Sequence, residues 1–434
     1  MAPPVLTQST ASAIPQLDGK PATNTETLPA SWFSSQAILD LEKRAIFHKT
    51  WNYCTHSSRF QNPGDYYTFN ITGINFFIIK SKTDGSLKAF HNVCRHRAFP
   101  VVRKDQGSST VLGCKYHGWA YNTDGNLTKA HDYDKVEGFK MEENGLLPIH
   151  THITPQGLVF VSFNSDPVPF ETWYEGLTEE LSTFDFADYE YHMSYELDGT
   201  FNWKTLMDGY NECFHCYTAH PGLKAAFKLN TYKVVPKTHY LRHFAEIVQN
   251  EEPPVVEEKK SWFGGLKTEE KPKPQKQNKA GTNDGLWLQV APNTGINCYS
   301  PAWYSIRVLP ITSTRTILQY DIYTKKGLDD AGKKEFVDFL QQVELEDYDL
   351  CVLTQKNLNQ GIYKTGVLHP GHENGVLYYQ GLVKDMVKEH YDLEVANGGP
   401  IDPAAIKSSG QDEDDELEGI CKSLECGKGS AVEW

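Results

Sequence analysis

Between Tyr66 and Phe163 the apolar residues come in short runs, not in helical stripes: YYTFNI, INFFIIK, LKAFHNV, STVLGCKYHGWAYN and GLVFVSF. Thr72-Gly73, Asp84-Gly85 and Asp124-Gly125 punctuate them. Asp-Gly between apolar runs signals a hairpin, so residues 50–165 are expected to form a small all-β domain. Ahead of it, SWFSSQAILDLEKRAIFHKTW places Ile38, Leu41, Ile46 and Phe47 on roughly one side, with Ser34 or Ser35 as cap. This predicts an N-terminal helix over 31–49. Residues 1–30, rich in Ser, Thr, Pro and Ala, read as a flexible arm.

The pattern changes near 170. FETWYEGLTEELSTF and NWKTLMDGYNECFHCYTAH read as helical, β-like runs follow at 231–248, 286–300 and 302–323, and a long helix is expected near 332–358. The mixture predicts an α+β domain over 166–434 built on an antiparallel sheet. Residues 250–284 are Lys-, Glu- and Pro-rich and lack an apolar period, which predicts a disordered surface insertion, with Trp262 and Phe263 as a docking spot or lid. The end, 408–434, reads as a tail with a solvated acidic stretch from Asp412 to Glu418.

Composition narrows the function classes. A chain of 434 residues fits two or three domains, and 39% hydrophobic with 23% charged residues suits soluble cores. The net charge of -14 argues against nucleic acid and against an anionic membrane surface. No apolar run reaches the ~18–20 residues of a bilayer span. The first residues lack a basic segment followed by an apolar one, and the nine cysteines are odd in number and dispersed. Both features predict a cytoplasmic protein whose cysteines are free thiols or metal ligands.

Two constellations carry chemistry. Cys94-Arg95-His96 is followed after seventeen residues by Cys114-Lys115-Tyr116-His117-Gly118-Trp119. Two thiolates and two imidazoles on two loops can hold one tetrahedral zinc or a [2Fe–2S] cluster with both Cys on one iron and both His on the other. Common zinc fingers favour C-x2–4-C, and the spacing here is nearer the second pattern. The other constellation is His215 and His220. Five residues rotate a side chain by ~140° on an ideal helix, and Pro221 pushes His220 out of α geometry, so the second ring is expected at a helix end, free to turn back. Two histidines and one carboxylate make the facial triad of non-haem Fe(II) enzymes. On the helix at 332–358, Asp347 falls on a stripe with Phe336, Leu340, Val343, Leu350 and Thr354, where a buried carboxylate needs a cation. Glu346 and Asp349 point elsewhere by the same count and are expected in solvent. Glu212 lies three residues before His215 and is expected to share its helix face. Cys213 and Cys216 are expected to be packing thiols. No G-x-G-x-x-G follows a strand, so no nicotinamide or flavin domain is evident.

With these motifs the chain resembles the catalytic α subunit of Rieske non-haem iron oxygenases over most of 30–400, and looks most similar to the choline monooxygenase-like branch. The segments that carry the likeness are Asn202–Lys204, Asn211–His215, Glu346-Asp347 through Gln355, and His372–Gly375. The resemblance implies a Rieske [2Fe–2S] domain over 50–165, with Cys94, His96, Cys114 and His117 as ligands and backbone amides near Arg97 and Gly118 donating to the sulfurs. It also implies a helix-grip-like catalytic domain with mononuclear Fe(II) on His215, His220 and Asp347. It implies a homotrimer in which Glu212 bridges the cluster of one subunit to the iron of the next, and a separate NAD(P)H-dependent reductase or ferredoxin. The implied activity is O2-dependent hydroxylation or N-demethylation of a small organic substrate. A quaternary ammonium such as choline or a betaine suits a cage of aromatic faces, and Tyr210, Phe214, Trp287, Tyr299, Trp303, Tyr304 and Tyr378 are the candidates. Oxygenation of an aromatic or secondary metabolite is the alternative. From other classes, a Rieske electron carrier and a zinc-dependent interaction module compete.

Overall fold

The computed structural model describes residues 25–248 and 285–406. The insertion with Trp262 and Phe263, the acidic stretch 412–418 and most of the N-terminal arm lie outside them. The last residues of the arm are docked: Thr27 N–H donates to the Gly366 carbonyl (3.0 Å), Ala30 N–H to that of Lys364 (2.8 Å), and Leu28 N–H to the Gln380 side chain (2.7 Å).

Seven strands make the first sheet: β1 (Trp51–His56), β2 (Asp65–Ile71), β3 (Ile74–Lys80), β4 (Leu87–His91), β5 (Gln106–Ser108), and, after a separate three-stranded sheet of β6 (Val111–Gly113), β7 (Ala120–Asn122) and β8 (Leu127–Lys129), β9 (Pro148–Ile153) and β10 (Leu158–Ser162). The order is β1-β10-β9-β4-β3-β2-β5. Thr72 and Gly73, both at positive φ (51° and 96°), turn β2 into β3. Positive φ at both central positions marks the tight turn that matches strand twist.

The second sheet follows chain order but for its first strand: β11 (Tyr189–Gly199), then β12 (Phe227–Lys237), β13 (Tyr240–Ile247), β14 (Leu286–Val290), β15 (Thr294–Cys298), β16 (Ala302–Thr312) and β17 (Arg315–Lys325), arranged β11-β17-β16-β15-β14-β13-β12, all antiparallel. The molecule is α+β. Its helices are α1 (Gln36–Glu42), α2 (Phe170–Trp173), α3 (Leu177–Leu181), α4 (Trp203–Tyr210), α5 (Cys216–Ala219), α6 (Pro221–Ala226), α7 (Asp330–Leu358) and α8 (Asn374–Asn397). Among the described residues no helix is long and apolar enough to cross a membrane.

Ser35 caps α1, its side chain accepting from Ile38 N–H. The helix runs on into a π turn over Lys43–Phe47. From its end Glu42 enters the core. Its carboxylate accepts from Lys204 Nζ (2.6 Å) and Trp203 Nε1 (2.8 Å), with all three side chains buried. This pins α1 to α4, the helix that leads to the second histidine pair. Cutting one partner of a buried ion pair costs about 3–5 kcal/mol because the other charge stays buried. Glu42→Ala is therefore expected to lower the thermal unfolding midpoint markedly, and an unchanged midpoint would refute the role.

The long helix starts as expected, with Asp329 capping the Gly332 N–H (2.8 Å). Its buried face differs from the expected stripe. Phe336, Val337, Leu340, Glu344, Cys351, Gln355 and Leu358 are buried, whereas Leu350 and Thr354 are exposed. Beyond Leu340 the buried positions Glu344, Cys351 and Gln355 each lie one residue after the expected Val343, Leu350 and Thr354, about 100° around the helix.

Candidate metal centres and the cavity beside them

The first donor set sits on two matched turns at the tip of the first domain. Ala98 N–H closes onto the Cys94 carbonyl (3.0 Å) and Gly118 N–H onto that of Cys114 (3.1 Å). Each closing residue has positive φ, 57° and 73°. The turns seat Cys94 and Cys114 in the core and leave His96 half-buried and His117 exposed, with ring centroids 4.4 Å apart. Both cysteines are free thiols. Burial pushes the Cys94 thiol up, while Tyr121 OH, 3.3 Å from its sulfur, and the His96 amide favour the thiolate. The Gly118 amide is spent on the Cys114 carbonyl, not on a sulfur. Trp119 stacks on His96 (5.1 Å, 14°), whose Nδ1 is buried without a partner. A buried ring nitrogen left open beside a second imidazole fits a cluster ligand.

The second set is built where α4 ends. Asn211 to His215 form a non-helical link, so Glu212 and His215 do not share a helix face as expected. Glu212 instead folds back in the link, one oxygen on His215 Nδ1 and the other accepting from the amides of Phe214 and His215. His220 separates α5 from α6, with φ -119° and ψ 82° and Pro221 opening the next helix. Three atoms converge there: His215 Nε2 and His220 Nε2 lie 3.1 Å apart, and Asp347 Oδ1 lies 3.3 and 3.0 Å from them. Burial works against a charged His215, but the carboxylates of Asp347 and Glu212 outweigh it and raise the ring to about 10. The site attracts positive charge, which a divalent ion supplies.

Two expectations here need correction. Glu346 is not a solvent residue: it accepts from His220 Nδ1 (2.8 Å) and is itself held by Gln342 (2.9 Å). A metal-binding imidazole characteristically engages a carboxylate through its other nitrogen, and that rule is the signal by which it could have been found. Cys213 and Cys216 are not packing thiols but a disulfide, and so Cys216, although 3.9 Å from His215 Nε2, has no thiolate for a metal. Asp349 is exposed, as expected.

A cavity of about 150 Å³ opens beside His215, His220 and Asp347. Of the aromatic candidates, Tyr210, Trp287, Tyr299 and Tyr304 line it. Phe214, Trp303 and Tyr378 do not. Phe214 is 50% exposed and stacks on His372 (4.7 Å) outside the cavity. Trp303 alternates with Tyr304 along β16, so it faces the opposite side of the sheet and stacks on Tyr323 (4.0 Å). Tyr378 donates to the Lys237 carbonyl. Phe336, Leu340 and Val343 of the expected stripe also line it, with Phe227, Tyr232, His243, Asn297, Phe339 and Glu344, which were not singled out from sequence. Burial pushes Glu344 up to about 7 and His243 down to about 3. A larger hollow, about 1200 Å³, runs past Arg59, Phe186 and Tyr191, but it contains none of the donor residues.

Comparison with known proteins gives consistent relatives. The family model for the Rieske [2Fe-2S] domain matches residues 50–140, and that for the ring hydroxylating alpha subunit (catalytic domain) matches 186–389. The carnitine monooxygenase oxygenase subunit of Acinetobacter baumannii is 27% identical over 370 residues, 82% of this chain and 94% of that protein. The chloroplastic choline monooxygenase of Arabidopsis thaliana is 26% identical over 361 residues, 80% of this chain and 79% of its own length. A crystal structure of a quaternary ammonium Rieske monooxygenase in complex with substrate L-carnitine superposes with a TM-score of 0.70 at 25% identity, over 83% of this chain and 95% of that one. Naphthalene 1,2-dioxygenase from Rhodococcus sp. shares the fold, with a TM-score of 0.67 at 17% identity.

Proposed function

The chain belongs to the Rieske non-haem iron oxygenases, a family that works with a [2Fe–2S] cluster and a mononuclear iron, and from that premise we propose that it hydroxylates or N-demethylates a small quaternary ammonium compound. In this reading Cys94, His96, Cys114 and His117 hold the cluster, and His215, His220 and Asp347 hold Fe(II). When bound, these centres supply single-electron transfer and O2 activation. The protein's part is positioning. Glu346 and Glu212 fix the two imidazoles through their Nδ1 atoms, leaving both Nε2 atoms toward Asp347. An electron carrier has no use for this second set.

The observation that carries the substrate class is the wall of the cavity. Tyr210, Trp287, Tyr299, Tyr304 and Phe336 surround a space bounded on one side by the iron donors. Aromatic faces attract an organic cation with ~2 kcal/mol or more once it is desolvated, and about 150 Å³ is well below the ~300–1,000 Å³ of drug-sized sites. The relatives named for carnitine and choline support the same class. Electrons come from a separate reductase or ferredoxin. The working assembly is a homotrimer, a reading supported by the relative whose structure is described in terms of inter-subunit electron transfer. Cys54, Cys298 and Cys351, free and buried outside the cluster, favour a reducing, cytosolic compartment despite the Cys213–Cys216 disulfide.

The test is turnover with a surrogate reductase, NADH and O2 against choline, glycine betaine, carnitine and small aromatics. Substrate-dependent NADH oxidation with an oxygenated or demethylated ammonium product is expected. Turnover of the aromatics alone would defeat the reading.

A further inference from the structure

Two carboxylates on the cavity wall lie outside the donor set: Glu212, which is spent on His215, and Glu344. Glu344 lies on α7 three residues before Asp347 and is 7% exposed. Its oxygens accept from Tyr304 OH (3.1 Å) and Tyr320 OH (2.7 Å). No lysine or arginine lines the cavity among the described residues. His220 acts on Glu344 from a distance, but its two nitrogens are engaged by Asp347 and Glu346. A buried carboxylate with only two phenols for company is costly, and the fold does not supply its cation. Burial, with the Asp347 carboxylate nearby, raises this carboxyl.

The remaining open polar atoms on the wall are neutral. Asn297 Nδ2 and His243 Nε2 are buried without a partner. Their other ends are fixed: Asn297 Oδ1 accepts from Tyr210 OH (2.8 Å), and His243 Nδ1 lies 2.7 Å from Tyr232 OH. These atoms can meet a neutral oxygen. A substrate carboxylate would find no counter-charge there and would share a low-dielectric space with Glu344.

Building on the quaternary ammonium reading above, we propose that Glu344 is the counter-ion that sets specificity, and that the cavity takes an organic cation whose other polar group is a neutral oxygen (an alcohol, ether or carbonyl) in preference to one that bears a carboxylate.

The test is binding to cluster- and iron-loaded enzyme without reductant, by calorimetry, using choline, glycine betaine, carnitine and 3,3-dimethylbutan-1-ol, the uncharged carbon isostere of choline. Wild type is expected to bind choline at least about 30-fold more tightly than any of the other three, the lower range for a buried charge pair. Glu344→Gln should weaken choline by a similar factor and leave the isostere nearly unchanged, with cluster absorption and iron content reporting that the variant is folded. If the variant does not fold, the wild-type ranking decides alone. Glycine betaine or carnitine binding as tightly as choline would overturn the proposal and leave the quaternary ammonium reading standing. Cations binding no better than the isostere would overturn both. A folded Glu344→Gln that binds choline like wild type would remove Glu344 from recognition and overturn the proposal.

Discussion

In Asp347→Ala enzyme, mononuclear iron falls to background and turnover is lost, while the absorption and EPR signal of the [2Fe–2S] cluster keep wild-type intensity. Asp347 Oδ1 is the carboxylate oxygen that sits against both Nε2 atoms, at 3.3 and 3.0 Å. Without it two imidazoles remain, and the adjacent sulfur of Cys216 is closed in a disulfide. Losing a partner that merely supports a ligand costs about 10–100-fold in metal affinity, and losing the ligand itself should exceed that range. The cluster turns belong to a different sheet and a different stretch of chain, so they should not respond. His96→Ala should show the reverse, a bleached cluster with iron still loadable. Asp349→Ala, at an exposed position two residues on, should resemble wild type. Iron per subunit by elemental analysis, read beside the EPR spectrum, checks all three, and full iron occupancy in Asp347→Ala would remove it from the site.

Glu212→Gln is expected to separate metal loading from electron delivery. One Glu212 oxygen is already on His215 Nδ1, and the other is held by the Phe214 and His215 amides. An amide oxygen can still orient the ring, so iron should load. The amide lacks the charge and one acceptor, and those are what a bridge to the cluster histidine of a neighbouring subunit requires. In single-turnover experiments on prereduced enzyme, cluster oxidation and product yield should fall by about 100-fold, the upper range for outer partners of a metal ligand. A near-normal yield would take Glu212 out of the pathway. Iron loss in this variant would instead mark it as a structural support for His215.

The parts of this architecture legible in the sequence are those with local causes. Alternating apolar runs with Thr72-Gly73 between them marked β2 and β3, and the break at Pro221 placed His220 at a helix junction. The strand YEYHMSYELDG escaped notice because most of it is only half-buried or exposed, so no apolar run announces β11. Long-range contacts were legible only in part. The helical count put Asp347 on the right face of α7 yet sent Glu346 to solvent, because which carboxylate His220 Nδ1 meets depends on how two distant helices cross. The aromatic candidates divide for the same reason. Neighbours such as Trp303 and Tyr304 lie on opposite faces of one strand, and composition cannot say which face borders the cavity. Glu344 was missed because its partners, Tyr304 and Tyr320, come from two other strands.

The displacement of β11 from chain order has a consequence for how the polypeptide is made. Its partner is β17, and the Arg315–Asp198 bridge between them joins residues 117 positions apart. A ribosome has therefore released β11 long before anything exists to pair with it, and for that interval it is an open template of amides and carbonyls. Such distant pairing is slow to form and leaves a nascent chain open to aggregation. The alternation of Glu190, Glu196 and Asp198 with apolar residues along the strand provides charges that discourage stray pairing meanwhile. Recombinant yield should thus depend on slow synthesis or chaperone supply more than on iron.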